Sequence, residues 1–262
     1  MGALLRLPVV PLGDFLTPVA AASVAVLLFG RGFRRVRRRR FAREAGWDRA
    51  ALFGAGVAAG LVAILAFHQA AEERASAHML QHVLLGDVAP ALLVVAIRGP
   101  LAVAVVPLVV RRVLTSRGAR ALLRPAPSLA LWAGLLWFWH LPPVYDAALA
   151  FEWLHPLQHA SFLLGGLLLW NQLVDPLRRG VLSLWGSLGY ALVAMVVAQM
   201  LTALLILSYR PLYAYGSTAD QGLAGLIMAL EQFATLGTFA FFRLRSHFRG
   251  PLRLAEGHPL RV

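Results

Sequence analysis

The sequence predicts an all-α polytopic membrane protein: a bundle of seven transmembrane helices, with its N-terminus outside and its C-terminus in the cytoplasm. Three observations predict it. First, 59% of the 262 residues are hydrophobic and 14% are charged, with a mean hydropathy of +0.69. A soluble domain carries about 25% charge, so there is too little polar surface here for a water-soluble enzyme. Second, the apolar residues fall in runs near the roughly 20 residues that a helix needs to cross a bilayer. Third, arginine is dense in alternate connections and sparse in the others. Lysine is absent, so all 25 basic residues are arginine. Cysteine is absent too, which removes disulfides, thiolate metal sites and cysteine nucleophiles together.

Seven runs qualify as spans, at residues 12–30, 47–70, 77–97, 122–141, 154–174, 184–207 and 221–242. The first and fourth are the weakest, because prolines and an arginine press on their ends. The run 101–110 is too short and contains Pro107. With arginines on both sides, it reads as a helix lying in the interface. Connections 31–49, 98–124, 178–179 and 243–261 hold 22 arginines; the opposite side holds only Arg6, Arg74 and Arg210. Basic connections stay cytoplasmic, which fixes the orientation. The cluster Arg34–Arg40 reads as a topogenic, lipid-facing anchor and not as a nucleic-acid patch. A strong stop-transfer cluster follows the first span and no small-residue cleavage pattern is visible, which argues against a cleaved signal peptide. The expected organisation is one integral membrane domain over 1–262, with the bundle over 12–245 and a flexible cytoplasmic tail over 249–262.

This orientation makes the histidines informative. Six of eight (His68, His78, His82, His140, His155 and His159) fall at the outer ends of spans two to five; His247 and His258 lie in the tail. Two helices that run inward open with one pentapeptide form, His78-Met79-Leu80-Gln81-His82 and His155-Pro156-Leu157-Gln158-His159. Residues four apart share a helix face, about 6 Å apart along the axis, so two imidazoles so placed can hold one metal ion or face a ligand from a neighbouring helix. One such pair is equally well explained by helix–helix hydrogen bonding. Two at the same depth, with His140 between them in sequence, favour a shared metal or haem site. The residue before a proline avoids the α region, so His155 is expected just outside the helix, directed differently from His78, and His159 is the safer ligand.

The third inward helix begins Ser217-Thr218-Ala219-Asp220-Gln221, which fits a capping box; Asp220 and Gln221 are either caps or part of the site. Gly222 and Gly225 would allow close helix packing. Asp87 and Glu231 lie deeper, roughly 8–16 Å further in. Intramembrane carboxyls are costly and default to a functional role; the alternative is a hydrogen bond accepted from a neighbouring helix, or a carboxyl held protonated. Met200 and Met228, about 12 Å below the outer ends, are soft donors suited to Cu(I) or simple packing, and Met79 can assist. The tryptophans Trp132, Trp137, Trp139, Trp153, Trp170 and Trp185 read mostly as interfacial belt residues.

Four motifs in order carry a family resemblance: His78-Met79-Leu80-Gln81-His82 with Asp87 and Pro90; Trp139-His140-Leu141-Pro142-Pro143-Val144-Tyr145; His155 and His159 followed by Trp170; and Asp220-Gln221-Gly222-Leu223-Ala224-Gly225-Leu226-Ile227-Met228. Over about residues 50–245 the chain resembles the multi-span CtaG family of cytochrome c oxidase assembly factors. A cysteine-dependent, single-span copper chaperone shares that name, and the absence of cysteine excludes it. The resemblance implies a seven-helix protein of the bacterial plasma membrane that matures a haem–copper oxidase by delivering or inserting copper. Its expected partners are oxidase subunits or an extracytoplasmic copper chaperone, with no nucleic acid.

Four functions compete on these residues. The first is a copper-handling assembly factor, not an enzyme, with His78, His82, His140 and His159 as ligands and His155 and Asp220 secondary. The second is a b-type haem electron carrier, disfavoured because the histidines crowd one face. The third is an intramembrane zinc hydrolase, with Asp87 or Asp146 as base and Ser76 or Ser161 as a further polar group. The fourth is a copper permease, for which Asp87, Glu231, Met200 and Met228 would form the path.

Overall fold

The computed structural model describes residues 12–38, 42–214 and 216–255, with side chains between residues 15 and 248. The described residues are 84% helix, with no strand among them. The chain opens with α1 (Leu12–Arg37). A 3-10 turn, Ala42–Glu44, leads into α2 (Trp47–Ala66). The apolar run expected to continue to residue 70 breaks at Phe67, and a short α3 (His68–Glu73) follows. Next, α4 (Ala75–Val83) passes through a π turn, Leu84–Val88, into α5 (Ala89–Ala96). Pro90 explains that wide turn. It has no N–H to give the carbonyl of Gly86, four residues back, and its ring pushes that carbonyl aside.

Pro107 splits the expected interfacial helix into α6 (Pro100–Val105) and α7 (Leu108–Leu114). These two differ: Leu101 of α6 is fully buried, with α6 packed on α1 at Gly32, whereas α7 turns Val109 and Val113 outward. Then come α8 (Arg117–Leu122), α9 (Pro125–Trp139), α10 (Pro142–Ala150), α11 (Leu154–Val174), α12 (Leu184–Leu207) and α13 (Thr218–Ala255). Serines cap the starts of α8 and α12: Ser116 Oγ accepts from Ala119 N–H, and Ser183 Oγ from Gly186 N–H. Because α13 runs to Ala255, the stretch expected to be a flexible tail is helical over 249–255. Residues 256–262 with His258, residues 1–11 with Arg6, and Arg39 and Arg40 lie outside the described residues.

Among the described residues, five helices are long and apolar enough to cross a membrane: Phe15–Arg37, Ala42–Ala66, Ala75–Ala96, Leu184–Leu207 and Thr218–Phe248. The protein is a helical membrane protein. The other two expected spans fall short for physical reasons. Helix α9 has 15 residues, or about 22 Å against a hydrocarbon core of about 30 Å, and it stops because Pro142 and Pro143 open a new helix. Helix α11 has 21 residues, but His155, Gln158, His159, Asn171 and Gln172 dilute its hydropathy.

Close approach needs small residues, and two glycines supply it. A Cβ on Gly166 of α11 would run into the Gly86 carbonyl and the Pro90 ring, so α11 lies directly on the π turn. Gly225 of α13 faces Thr202, Leu205 and Ile206 of α12 in the same way; Gly222, expected to share that task, faces open space. At the arginine-rich end, Gly99 N–H donates to the Pro176 carbonyl (2.7 Å), and Arg178 pairs with Glu44 (2.8 Å). These contacts tie three connections together and leave the opposite end to the histidines.

Candidate metal centre

The starts of α4 and α11 and the end of α9 meet at that opposite end. Within α4 the rings of His78 and His82 are 4.2 Å apart between centroids; within α11 those of His155 and His159 are 4.3 Å apart. Across the two helices, His78 lies 5.1 Å from His155 and 6.4 Å from His159, and His82 lies 5.9 Å from His159. His140, which ends α9, is 5.8 Å from His82. Five imidazoles therefore converge from three helices. His155 belongs to the first turn of α11 and faces the group, contrary to the expectation drawn from Pro156: a proline fits a first helical turn, so the residue before it stays in the helix.

Three of the five make a tight set. One ring nitrogen each from His78, His155 and His159 lies within 4.8 Å of the others. Nitrogens bound to one ion at about 2.0–2.1 Å are at most ~4.2 Å apart, so modest side-chain shifts bring this set to coordination distance. Hydrogen bonds orient the rings. His78 Nε2–H donates to Gln158 Oε1 (3.3 Å) and His140 Nδ1–H donates to the Leu136 carbonyl (2.7 Å), an arrangement that fixes which nitrogen keeps its lone pair. Five further nitrogens, His78 Nδ1, His140 Nε2, His159 Nε2 and both of His82, are buried without a hydrogen-bond partner. Each such buried atom costs about 1–3 kcal/mol, and an ion is one of the few things that offsets the cost. A cavity of about 580 Å³ reaches the set from the side of α1, lined by His155, His159 and the His68–Glu72 pair.

The other expected site residues divide clearly. Asp220 lies at the N-terminus of α4: its carboxylate accepts from Ala75 N–H (2.7 Å), from Ser76 N–H (3.4 Å) and from the Ser76 hydroxyl. Half of the expected capping box forms, since Ser217 Oγ accepts from Asp220 N–H (3.1 Å). Gln221 accepts from Leu212 N–H and donates to the Leu205 carbonyl. Asp146 accepts from Ala214 N–H (3.1 Å), and Ser161 accepts from Trp139 Nε1–H (2.6 Å). Met200 is 59% exposed on the outward face of α12, away from the imidazoles. Met79 and Met228 are buried. Asp87, on the π turn, accepts from Trp170 Nε1–H and from the Thr235 hydroxyl (3.2 Å), and it contacts the carboxyl of Glu231.

Several contributors are not evident from the sequence. Trp139 and Trp170 are buried hydrogen-bond donors, not belt residues, whereas Trp153 and Trp185 are exposed as a belt requires. Gln158 had a signal, since it holds the same place in its pentapeptide as the buried Gln81. Tyr145 packs against His78 (4.9 Å) and stacks on Tyr213 (3.8 Å), whose hydroxyl donates to the His140 carbonyl (3.4 Å). Burial, then the Asp146 carboxylate, holds the Tyr213 phenol above its usual range, so it remains a donor.

Fold and site together define a class: a polytopic helical membrane protein with a buried imidazole cluster at one end of its bundle. The family model of the cytochrome c oxidase caa3 assembly factors (Caa3_CtaG) matches residues 27–249, and the chain belongs to that family. The match begins at residue 27, so it takes in the second half of α1 and the basic connection, which the motifs alone had left outside. Comparison with curated proteins and with solved structures gave no match.

Proposed function

We propose that this assembly factor binds copper, as Cu(I), at its imidazole cluster and hands it to a haem–copper oxidase, without itself being an enzyme. In this reading seven segments cross the bacterial plasma membrane, α11 and the stretch 122–141 around α9 included, with the N-terminus outside and the cluster near the outer surface. An oxidase subunit or an extracytoplasmic copper chaperone is the partner. One observation carries the reading: buried ring nitrogens that lack hydrogen-bond partners converge from three helices in a chain without cysteine. Imidazole and thioether donors without thiolate suit Cu(I) that must be released again. Deletion of the gene is expected to leave an oxidase deficient in copper with its haem unchanged, measured as metal-to-haem ratio in the purified oxidase. Normal oxidase copper in the deletion strain overturns the proposal.

A second reading keeps the site but changes the ion. Three imidazoles beside an open cavity of about 580 Å³ are also a catalytic zinc arrangement. Zinc in place of copper in the purified protein, with cleavage of a lipid amide or peptide, decides for it.

A further inference from the structure

The five imidazoles do not surround one point. His78, His155 and His159 form the tight set, while His82 and His140 turn toward a separate cavity of about 40 Å³. That cavity is also lined by Met79, Met228, Asp87 and Glu231. One water-sized sphere needs about 10–15 Å³, so the chamber has room for a single ion with little or no hydration shell. We infer that this chamber is a second, inner binding site for a soft monovalent cation of the Cu(I) type, held by His82, His140, Met79 and Met228 and lying inward of the tight imidazole set.

Four features support it. Both ring nitrogens of His82 and Nε2 of His140 are buried without a hydrogen-bond partner, and both residues line the chamber. His140 Nδ1–H is committed to the Leu136 carbonyl (2.7 Å), so the Nε2 lone pair remains for an ion. The two thioethers on the wall are buried, unlike that of Met200, and thioethers select soft ions such as Cu(I) over hard ones. Asp87 and Glu231 are in hydrogen-bond contact with each other. Both line the chamber, and burying a cation beside acidic groups costs less than burying it among apolar ones. The chamber deepens the copper reading, for it takes its ion from the outer set. A cation passed inward there would be sheltered from water until a partner opens the outer end.

Because the chain has no cysteine, any copper–sulfur scattering must come from methionine. The test is an anaerobic titration of the detergent-purified full-length protein with Cu(I) against a chelator, followed by X-ray absorption. The wild type should bind two equivalents and show a copper–sulfur shell. Met79→Leu/Met228→Leu, which nearly conserves core volume, should bind one equivalent and lose the sulfur shell. His155→Ala/His159→Ala should bind one equivalent and keep it. A wild type without copper–sulfur scattering, or a double methionine variant still holding two equivalents, overturns the chamber and leaves the outer site standing. A single equivalent with a sulfur shell that survives His155→Ala/His159→Ala supports the chamber and overturns the outer site. No bound Cu(I) overturns both. The wild-type spectrum needs no variant to fold, so a poorly behaved methionine variant does not blunt the test.

Discussion

Asp220 sits among candidate ligands, yet its geometry is that of a cap. Both carboxylate oxygens are engaged at the first turn of α4, where an anion also meets the positive end of the helix dipole. The histidines are a turn further on. Asp220→Ala is therefore expected to leave metal stoichiometry unchanged while lowering stability by about 1 kcal/mol, the usual cost of a lost cap. Metal content and thermal unfolding in detergent check both halves, and loss of an equivalent of metal would make Asp220 a ligand after all. Gly166 is the opposite kind of residue, defined by what it lacks. Gly166→Ala puts a methyl group into the Gly86 carbonyl and the Pro90 ring, backbone and a rigid ring that cannot rotate away. Overpacking of this kind costs about 1–3 kcal/mol. The expected outcome is a clear drop in melting temperature, and an unchanged one would show that α11 does not rest on the π turn.

At the scale of elements, the π turn Leu84–Val88 organises the bundle interior. It aims Asp87 at Trp170 of α11 and at Thr235 and Glu231 of α13, so one carboxyl joins three helices. Trp170→Phe keeps the aromatic packing but removes the donor, and a buried oxygen left without its hydrogen-bond partner costs about 1–3 kcal/mol. A melting temperature lowered accordingly, with metal content retained, is expected; loss of metal with an unchanged melting temperature would place Trp170 in the site instead of the scaffold. How much of this was legible in the sequence follows from the range of each signal. Apolar runs and the two HxxxH pentapeptides are local patterns, and they located the helices and gathered four of the five imidazoles. The Asp87–Glu231 contact joins residues far apart in sequence, and no periodicity reports it. Helix α9 was read too long because its apolar run continues through His140 to Leu141, while the prolines that end it act from the next residues. Pro90 stands in plain view, yet nothing local reports that Gly166 of α11 packs on the Gly86 carbonyl that it displaces.

For the whole molecule, the arginine distribution and the histidine cluster mark opposite ends. The contacts of Gly99 with Pro176 and of Glu44 with Arg178 lie at the first end; the loop after α12, with Tyr213 against His140, lies at the second. The absence of native cysteine makes the orientation directly testable. Tyr209 is 99% exposed after α12 and Leu177 is 48% exposed after α11. In intact cells or spheroplasts, Tyr209→Cys should react with a membrane-impermeant maleimide, and Leu177→Cys only after permeabilisation. The reverse pattern would put the imidazole cluster on the cytoplasmic side and separate it from any extracytoplasmic copper donor.

The central claim is that imidazoles from α4, α9 and α11 close on a metal ion. Elemental analysis of the detergent-purified protein, wild type beside His78→Ala/His159→Ala, tests it most directly. The account predicts copper in the wild type, a loss of at least one equivalent in the variant, and the same helical content in both, because neither ring is needed for the apolar packing of its helix. Wild-type metal content in the variant, or a wild type that takes up no copper under reducing conditions, would contradict it.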